Sequence, residues 1–354
     1  MNNIAELTSD SIALLKGMIS TPSLSREEQN TAALIRQFFQ THKIPTEQIG
    51  NNIIAYNQFH SADKPYILLN SHHDTVKANP GYTKDPFQPL VEDGKLYGLG
   101  SNDAGGCLVS LIAAFRYFYG QQNLPFNLCL IASAEEEVSG KNGVEEAYKH
   151  VPACSFAIVG EPTLLNLAVA EKGLMVLDCA AHGQSGHAAR EEGVNAIYLA
   201  LEDIAWFQSF QFPKLSSFLG PVKMSVTMIE AGSQHNVVPA ICKYVVDVRS
   251  TDVYTNQEIL DIIKSHVKSE VVARSTRLNP STIPVDHPIV QSGIKLGKEI
   301  YGSPTMSDQA LLPIPSIKVG PGDSARSHTA DEFIYLHEIE EGIRFYISLL
   351  HNII

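Results

Sequence analysis

His72 and Asp74 close an apolar run, Tyr66-Ile-Leu-Leu-Asn-Ser-His-His-Asp-Thr-Val76, at the spacing of a metal ligand and its support. A strand ending in an imidazole delivers it to the carboxyl edge of a sheet, where open α/β sheets keep their sites. If one ring nitrogen binds a metal, a carboxylate two residues on accepts from the other and fixes the tautomer. Other polar groups without an evident packing role follow the ends of expected strands. They are Asp103 in a glycine-rich loop, the run Glu135-Glu136-Glu137, Glu161 before Pro162, and His328 in Ser327-His-Thr329.

Singly, each has an ordinary explanation. Asp103 would cap the helix that follows, the three glutamates would be a solvated turn, Glu161 a loop end, and His72 and His328 loop histidines. Together, two imidazoles and three carboxylates suit two divalent ions that share one carboxylate. Nitrogen and oxygen donors without thiolate favour zinc, cobalt or manganese. Such a pair makes amide hydrolysis feasible at neutral pH, provided a further carboxylate serves as a base that is not a ligand. The glutamate run has one to spare.

The elements that must position these groups read as follows. Apolar residues at helical intervals predict helices over 4–19 and 27–41. Strands are expected at 52–56 and 66–69, a hairpin turning at Asp93-Gly94, a helix over 107–118, a strand at 128–132, a helix over 142–150 and a strand at 156–159. Strands alternating with helices imply an α/β unit whose sheet is mixed and largely parallel, with helices on both faces. From 175 to 274 the order becomes β-α-β-β-α-β, the ferredoxin-like α+β unit. A helix over 289–300, a strand at 316–319 and a helix over 338–353 return to the first pattern. The expected organisation is a catalytic domain, 1–172 and 280–354, interrupted by an inserted domain, 173–279.

Composition narrows the function. With 354 residues and 44% hydrophobic content the chain buries a sizeable core. A net charge of -12 disfavours nucleic acid and anionic membranes and suits a small-molecule substrate. The five cysteines, 107, 129, 154, 179 and 242, are dispersed and without a C-x-x-C pair, as expected of buried thiols in a reducing compartment. The N-terminal residues lack a signal-peptide pattern and no apolar stretch is long enough to span a bilayer, so the expectation is a cytoplasmic protein.

The sequence resembles the dinuclear zinc amidohydrolases that include acetylornithine deacetylase, succinyl-diaminopimelate desuccinylase, aminoacylase and the glutamate carboxypeptidases. Seven landmarks carry the resemblance across nearly the whole chain, in the family's order. These are Ser71-His-His-Asp74, Tyr97-Gly-Leu-Gly-Ser-Asn-Asp103, Ser133-Ala-Glu-Glu-Glu137, Val159-Gly-Glu-Pro-Thr163, Gly186-His187, Asn236-Val-Val-Pro239 and Ser327-His-Thr329. The resemblance implies His72 and Glu161 on one metal, Glu137 and His328 on the other, Asp103 bridging, and Asp74 supporting His72. It implies Glu136 as general base, although Glu135 stands where the family has Asp and leaves a one-residue shift of register open. His187 would stabilise the oxyanion, in dimeric members from the partner subunit, which implies a homodimer through the inserted domain. Asn236 and Arg249 match substrate-binding positions; Arg249 has the fork to grip a carboxylate, and Lys172 stands where desuccinylases tend to have Arg.

Met306-Ser-Asp308-Gln and Ala325-Arg-Ser-His328 look closer to the acetylornithine deacetylase branch. The implied activity is zinc- or cobalt-dependent hydrolysis of an N-acyl amino acid, N-acetylornithine or a relative such as N-acetylcitrulline, in arginine biosynthesis. Desuccinylase and dipeptidase or aminoacylase activity are the alternatives within the enzyme class. A metal- or peptide-binding relative without catalysis is the alternative outside it, and it would lack a ligand or the base.

Overall fold

The computed structural model describes residues 3–190 and 192–353, which form two compact units. The first runs to Val169 and adds Thr282–Tyr301 and the chain from Ser307; the second is Ala170–Ser281 with Gly302–Met306.

A mixed sheet built on the first unit runs, in spatial order, Glu47–Ile49, Asn52–Tyr56, Asn127–Ser133, Tyr66–His72, Cys154–Val159, Ser316–Lys318 and Leu167–Glu171, the strand in which that unit's first segment ends. Its four central strands are mutually parallel; the flanking pairings are antiparallel. These strands are buried on both faces, so alternate residues enter different cores. Ile53, Ala55, Ile67, Leu69, Leu128 and Leu130 join the helices Ile4–Ile19, Gln29–Thr41, Gly106–Phe118 and Leu336–His351 in one cluster. Ile54, Leu68, Cys129, Ile131 and Ala157 pack on the other face with Val144 and Ala147 of the helix Val144–Tyr148.

The second unit holds an antiparallel sheet in the order Lys223–Ala231, Ile241–Ser250, Gly173–His182, Glu270–Ala273. In chain order this is 2-3-1-4, the ferredoxin-like arrangement. Helices Ala196–Ser209 and Asn256–His266 close its core, with Ala200, Phe207, Ile259 and Ile263 buried against Leu177, Tyr244 and Val246. All five cysteines are buried and free, and among the described residues no helix is long and apolar enough to cross a membrane.

Three expectations change. The helix expected over 289–300 is Pro288–Lys295, ended at Leu296 ahead of Gly297, whose φ of +78 favours glycine. Ile300 instead opens the strand Ile300–Ser303. The expected division put all of 280–354 in one domain, but Gly302–Met306 joins the second unit. Ser303 accepts there from the Lys172 amide at 3.1 Å, and a side chain at Gly302 would collide with the Phe218 carbonyl. The strands Leu167–Glu171 and Phe333–Tyr335, the latter paired with Lys95–Tyr97, add to those expected.

Candidate metal centre

Register explains why residues far apart in sequence meet. Tyr66–His72 lies parallel to its neighbours with His72 opposite Ser133 and Asn70 opposite Val159, while Lys318 lies opposite Val159. Four strands therefore finish at one edge. The chain leaves them as His72, as Glu136 and Glu137, as Glu161, and as the loop that leads to His328.

His72 Nε2 lies 3.3 Å from Asp103 Oδ1, 3.7 Å from Glu161 Oε1 and 3.9 Å from Glu136 Oε2. His328 Nε2 lies 3.1 Å from Glu137 Oε2 and 3.6 Å from Asp103 Oδ2. Asp103 thus faces one ring with each oxygen, and ligand atoms of His72, Asp103 and Glu137 lie within 4.8 Å of one another. His72 is buried, whereas the His328 side chain is 55% exposed, so this ring forms the open side of the cluster.

The supports are specific. His72 Nδ1 lies 3.0 Å from the Asp74 carbonyl and 3.4 Å from its Oδ1. A carbonyl only accepts, so Nδ1 carries the proton and Nε2 is left to face the carboxylates. The Asp74 carboxylate does more than support this ring. Its Oδ1 accepts from the Glu136 amide at 3.0 Å, its Oδ2 from the Glu137 amide at 3.2 Å and from Ser25 Oγ at 2.7 Å. One buried carboxylate therefore holds His72 and the glutamate turn together. Glu135, at φ +57, turns away, accepting from Asn142 Nδ2 at 3.0 Å, so the two glutamates facing the rings are Glu136 and Glu137. His73 is buried between Thr31 Oγ1 at 2.9 Å and the Asn51 carbonyl at 3.0 Å and takes no part in the cluster.

Crowding of carboxylates sets the electrostatics. Burial pushes Glu136 well above the usual carboxyl range and Glu161 to about 8. Burial opposes charge on His72, yet Glu136, Asp103, Asp74 and Glu161 lift it well above an ordinary imidazole. The Glu137 hydrogen bond raises His328 to about 9. Glu161 Oε1 is buried and receives no hydrogen bond among the described residues. Four carboxylates around two imidazoles, one with an orphaned buried oxygen, call for cations. The donors fit a pair of divalent ions bound through nitrogen and oxygen.

Glu332 escaped the sequence reading. It is 2% exposed, and its carboxylate accepts from the amides of Gly100, Asn102 and Asp103 at 3.2, 2.8 and 2.9 Å. Burial pushes it to about 8 although those amides pull the other way. Its sole sequence mark is a place four residues after His328.

The remaining candidates lie in the second unit. His187, exposed, pairs with Val237 in a short ladder, and the Asn236 carbonyl accepts from the Ala188 amide at 3.1 Å, so His187 and Asn236 are neighbours. The Arg249 guanidinium is engaged by Asp247, Nε to Oδ1 at 2.8 Å and Nη2 to Oδ2 at 3.2 Å, rather than free. Lys172 is 9% exposed; burial lowers its pKa, with Lys223 and Arg249 adding to the shift.

Comparison with known proteins gives one direction. Residues 68–352 match the model of "Peptidase family M20/M25/M40". Acetylornithine deacetylase of Proteus mirabilis is 29% identical over 377 residues, covering 96% of each chain. That of Photorhabdus laumondii is 27% identical, covering 91% of this chain and 92% of its own. Among solved structures, aminopeptidase PepT of Bacillus cereus superposes with a TM-score of 0.76 at 17% identity and 98% of both chains. A dinuclear metal-binding peptidase of Bacillus subtilis gives 0.72 at 14% identity and 97% of both.

Proposed function

The chain belongs to peptidase family M20/M25/M40, and on that footing we propose a metal-dependent amidohydrolase that removes the acyl group of N-acetylornithine or a close relative such as N-acetylcitrulline, as arginine biosynthesis requires. The observation that carries this reading is the convergence of His72, Asp103, Glu137, Glu161 and His328, with Glu136 beside them as a sixth, spare group. His72 and Glu161 are assigned to one ion, Glu137 and His328 to the other, and Asp103 to both. Zinc is the expected metal and cobalt a substitute.

When bound, the ions supply Lewis acidity toward a water and the acyl oxygen. Glu136 takes the proton of the attacking water on its carboxylate, holds it, and gives it to the departing amine nitrogen. A carboxyl whose burial favours the protonated form suits that holding step. Asp74 positions both His72 and Glu136. His187 is assigned to the oxyanion, reaching it from the partner in a homodimer built through the second unit. Asn236 and Arg249 are assigned to the substrate.

Lys172 bears on a second reading. Lysine there in place of Arg weakens a desuccinylase reading without removing it, since an ammonium held among Lys223 and Arg249 can still pair with the carboxylate of a succinyl group. Turnover of N-acetylornithine, N-acetylcitrulline, their N-succinyl counterparts and a dipeptide, by protein reloaded with Zn2+ or Co2+, separates the readings. Absence of turnover on all of them with two equivalents of metal bound would sink the proposal.

A further inference from the structure

We infer that Glu332 is a positioning residue for the metal pair, acting through the backbone of the loop that presents Asp103. The inference rests on the metal-centre reading above. Asp103 has to place one oxygen toward each half of the site, yet it stands in an irregular turn, Ser101–Gly105, between Gly100 and the helix Gly106–Phe118. A turn outside a regular helix leaves amides without intrasegment partners. Two of them, with the Gly100 amide just before the turn, point at one buried carboxylate: Glu332 Oε1 takes the Asn102 and Asp103 amides and Oε2 the Gly100 amide. The Glu332 carbonyl adds a bond from the Gly98 amide at 3.0 Å.

The same segment carries His328, whose carbonyl accepts from Asn79 Nδ2 at 3.2 Å. Next to Glu332, Asp331 accepts from the amides of Thr83 and Lys84 at 2.9 Å each. The Asn102 side chain closes a second link, donating to the Asp323 carbonyl at 3.0 Å and accepting from the Asp323 amide at 3.1 Å. Five residues, 328 to 332, thus fix a ligand of one half of the site directly and the shared ligand through the loop.

Glutamine at 332 presents one acceptor oxygen to three amides and turns an NH2 toward a donor; aspartate keeps the charge but withdraws it by a methylene. The test titrates wild type, Glu332→Gln and Glu332→Asp, stripped of metal, with Zn2+ by calorimetry, and records the visible absorption of the Co2+-loaded forms. Wild type should take up two equivalents. Glu332→Gln should lose roughly 10–100-fold in affinity for at least one of them, the usual scale for removing an outer support of a ligand, with an altered Co2+ spectrum. In an Asp103→Asn background the same change should cost nothing further, because its effect runs through Asp103. Folded Glu332→Gln protein with wild-type affinity and spectrum for both equivalents would overturn the inference and leave the metal-centre reading standing. Fewer than two equivalents on wild type would overturn both. If neither variant folds, Glu332 is a requirement of the fold rather than a setting for Asp103, and the inference falls.

Discussion

Two acidic residues in the first unit, Glu136 and Asp308, act on different properties, one on turnover and the other on stability. Replacing Glu136 by Gln keeps the shape and removes the proton carrier, so turnover should fall by about 10²–10⁴-fold while metal content stays at the wild-type value. Loss of metal along with activity would instead make Glu136 a ligand. Asp308 is 2% exposed and accepts from Ser133 Oγ at 2.5 Å; burial raises its carboxyl from 3.8 to about 6. A folded-state pKa above the unfolded one means the proton stabilises the fold. That contribution is complete below pH 3.8 and is lost as pH rises through 6. Its full size is on the order of 3 kcal/mol. Asp308→Asn, which can still accept from Ser133, should therefore flatten the fall in urea stability between pH 4 and 7 in metal-free protein. An unchanged slope would mean that Asp308 does not titrate in that window.

Elements bring the site together, and glycines let them approach. A methyl group on Gly105 would stand 2.4 Å from the Gly100 carbonyl oxygen, a backbone atom that cannot swing aside. Gly105→Ala should cost about 1–3 kcal/mol by urea denaturation and weaken metal uptake, since Asp103 lies in the same turn. The doubly buried strands were legible because an unbroken apolar run such as Ile67-Leu-Leu69 has few other places to go. Leu167–Glu171 was not legible: five residues, two of them alanine, mark no period until the neighbouring strand Ser316–Lys318 is known. Helix ends were less legible than helix bodies, as Pro288–Lys295 shows, since a cap depends on one residue. His72, Asp103 and Glu161 announced themselves by side-chain type at strand ends. Glu332 had no such mark, because a carboxylate that binds only amides is defined by a loop conformation and not by spacing. The second role of Asp74, on the Glu136 and Glu137 amides, was hidden for the same reason.

At the scale of the whole molecule, clustered carboxylates make the empty centre a source of repulsion and the loaded centre a source of stability. Free metal at about a thousand times its dissociation constant adds roughly 4 kcal/mol. Chelation should lower the thermal midpoint, and readdition of Zn2+ should restore it; an unchanged midpoint would show that the cluster binds no ion. If the protein is a homodimer with His187 acting across subunits, mixing inactive His187→Ala and Glu136→Gln proteins should recover part of the activity. Exchange of subunits without recovery would refute action in trans. Chain order gives the centre one more property. His72, Asp103, Glu137 and Glu161 precede the second unit and His328 follows it, so ions bound by all five would tie together two stretches joined covalently only through the insertion. A chain cut by protease within that insertion should stay associated during gel filtration while metal is present and separate more readily once a chelator removes it, making the centre a reversible clasp on an interrupted domain.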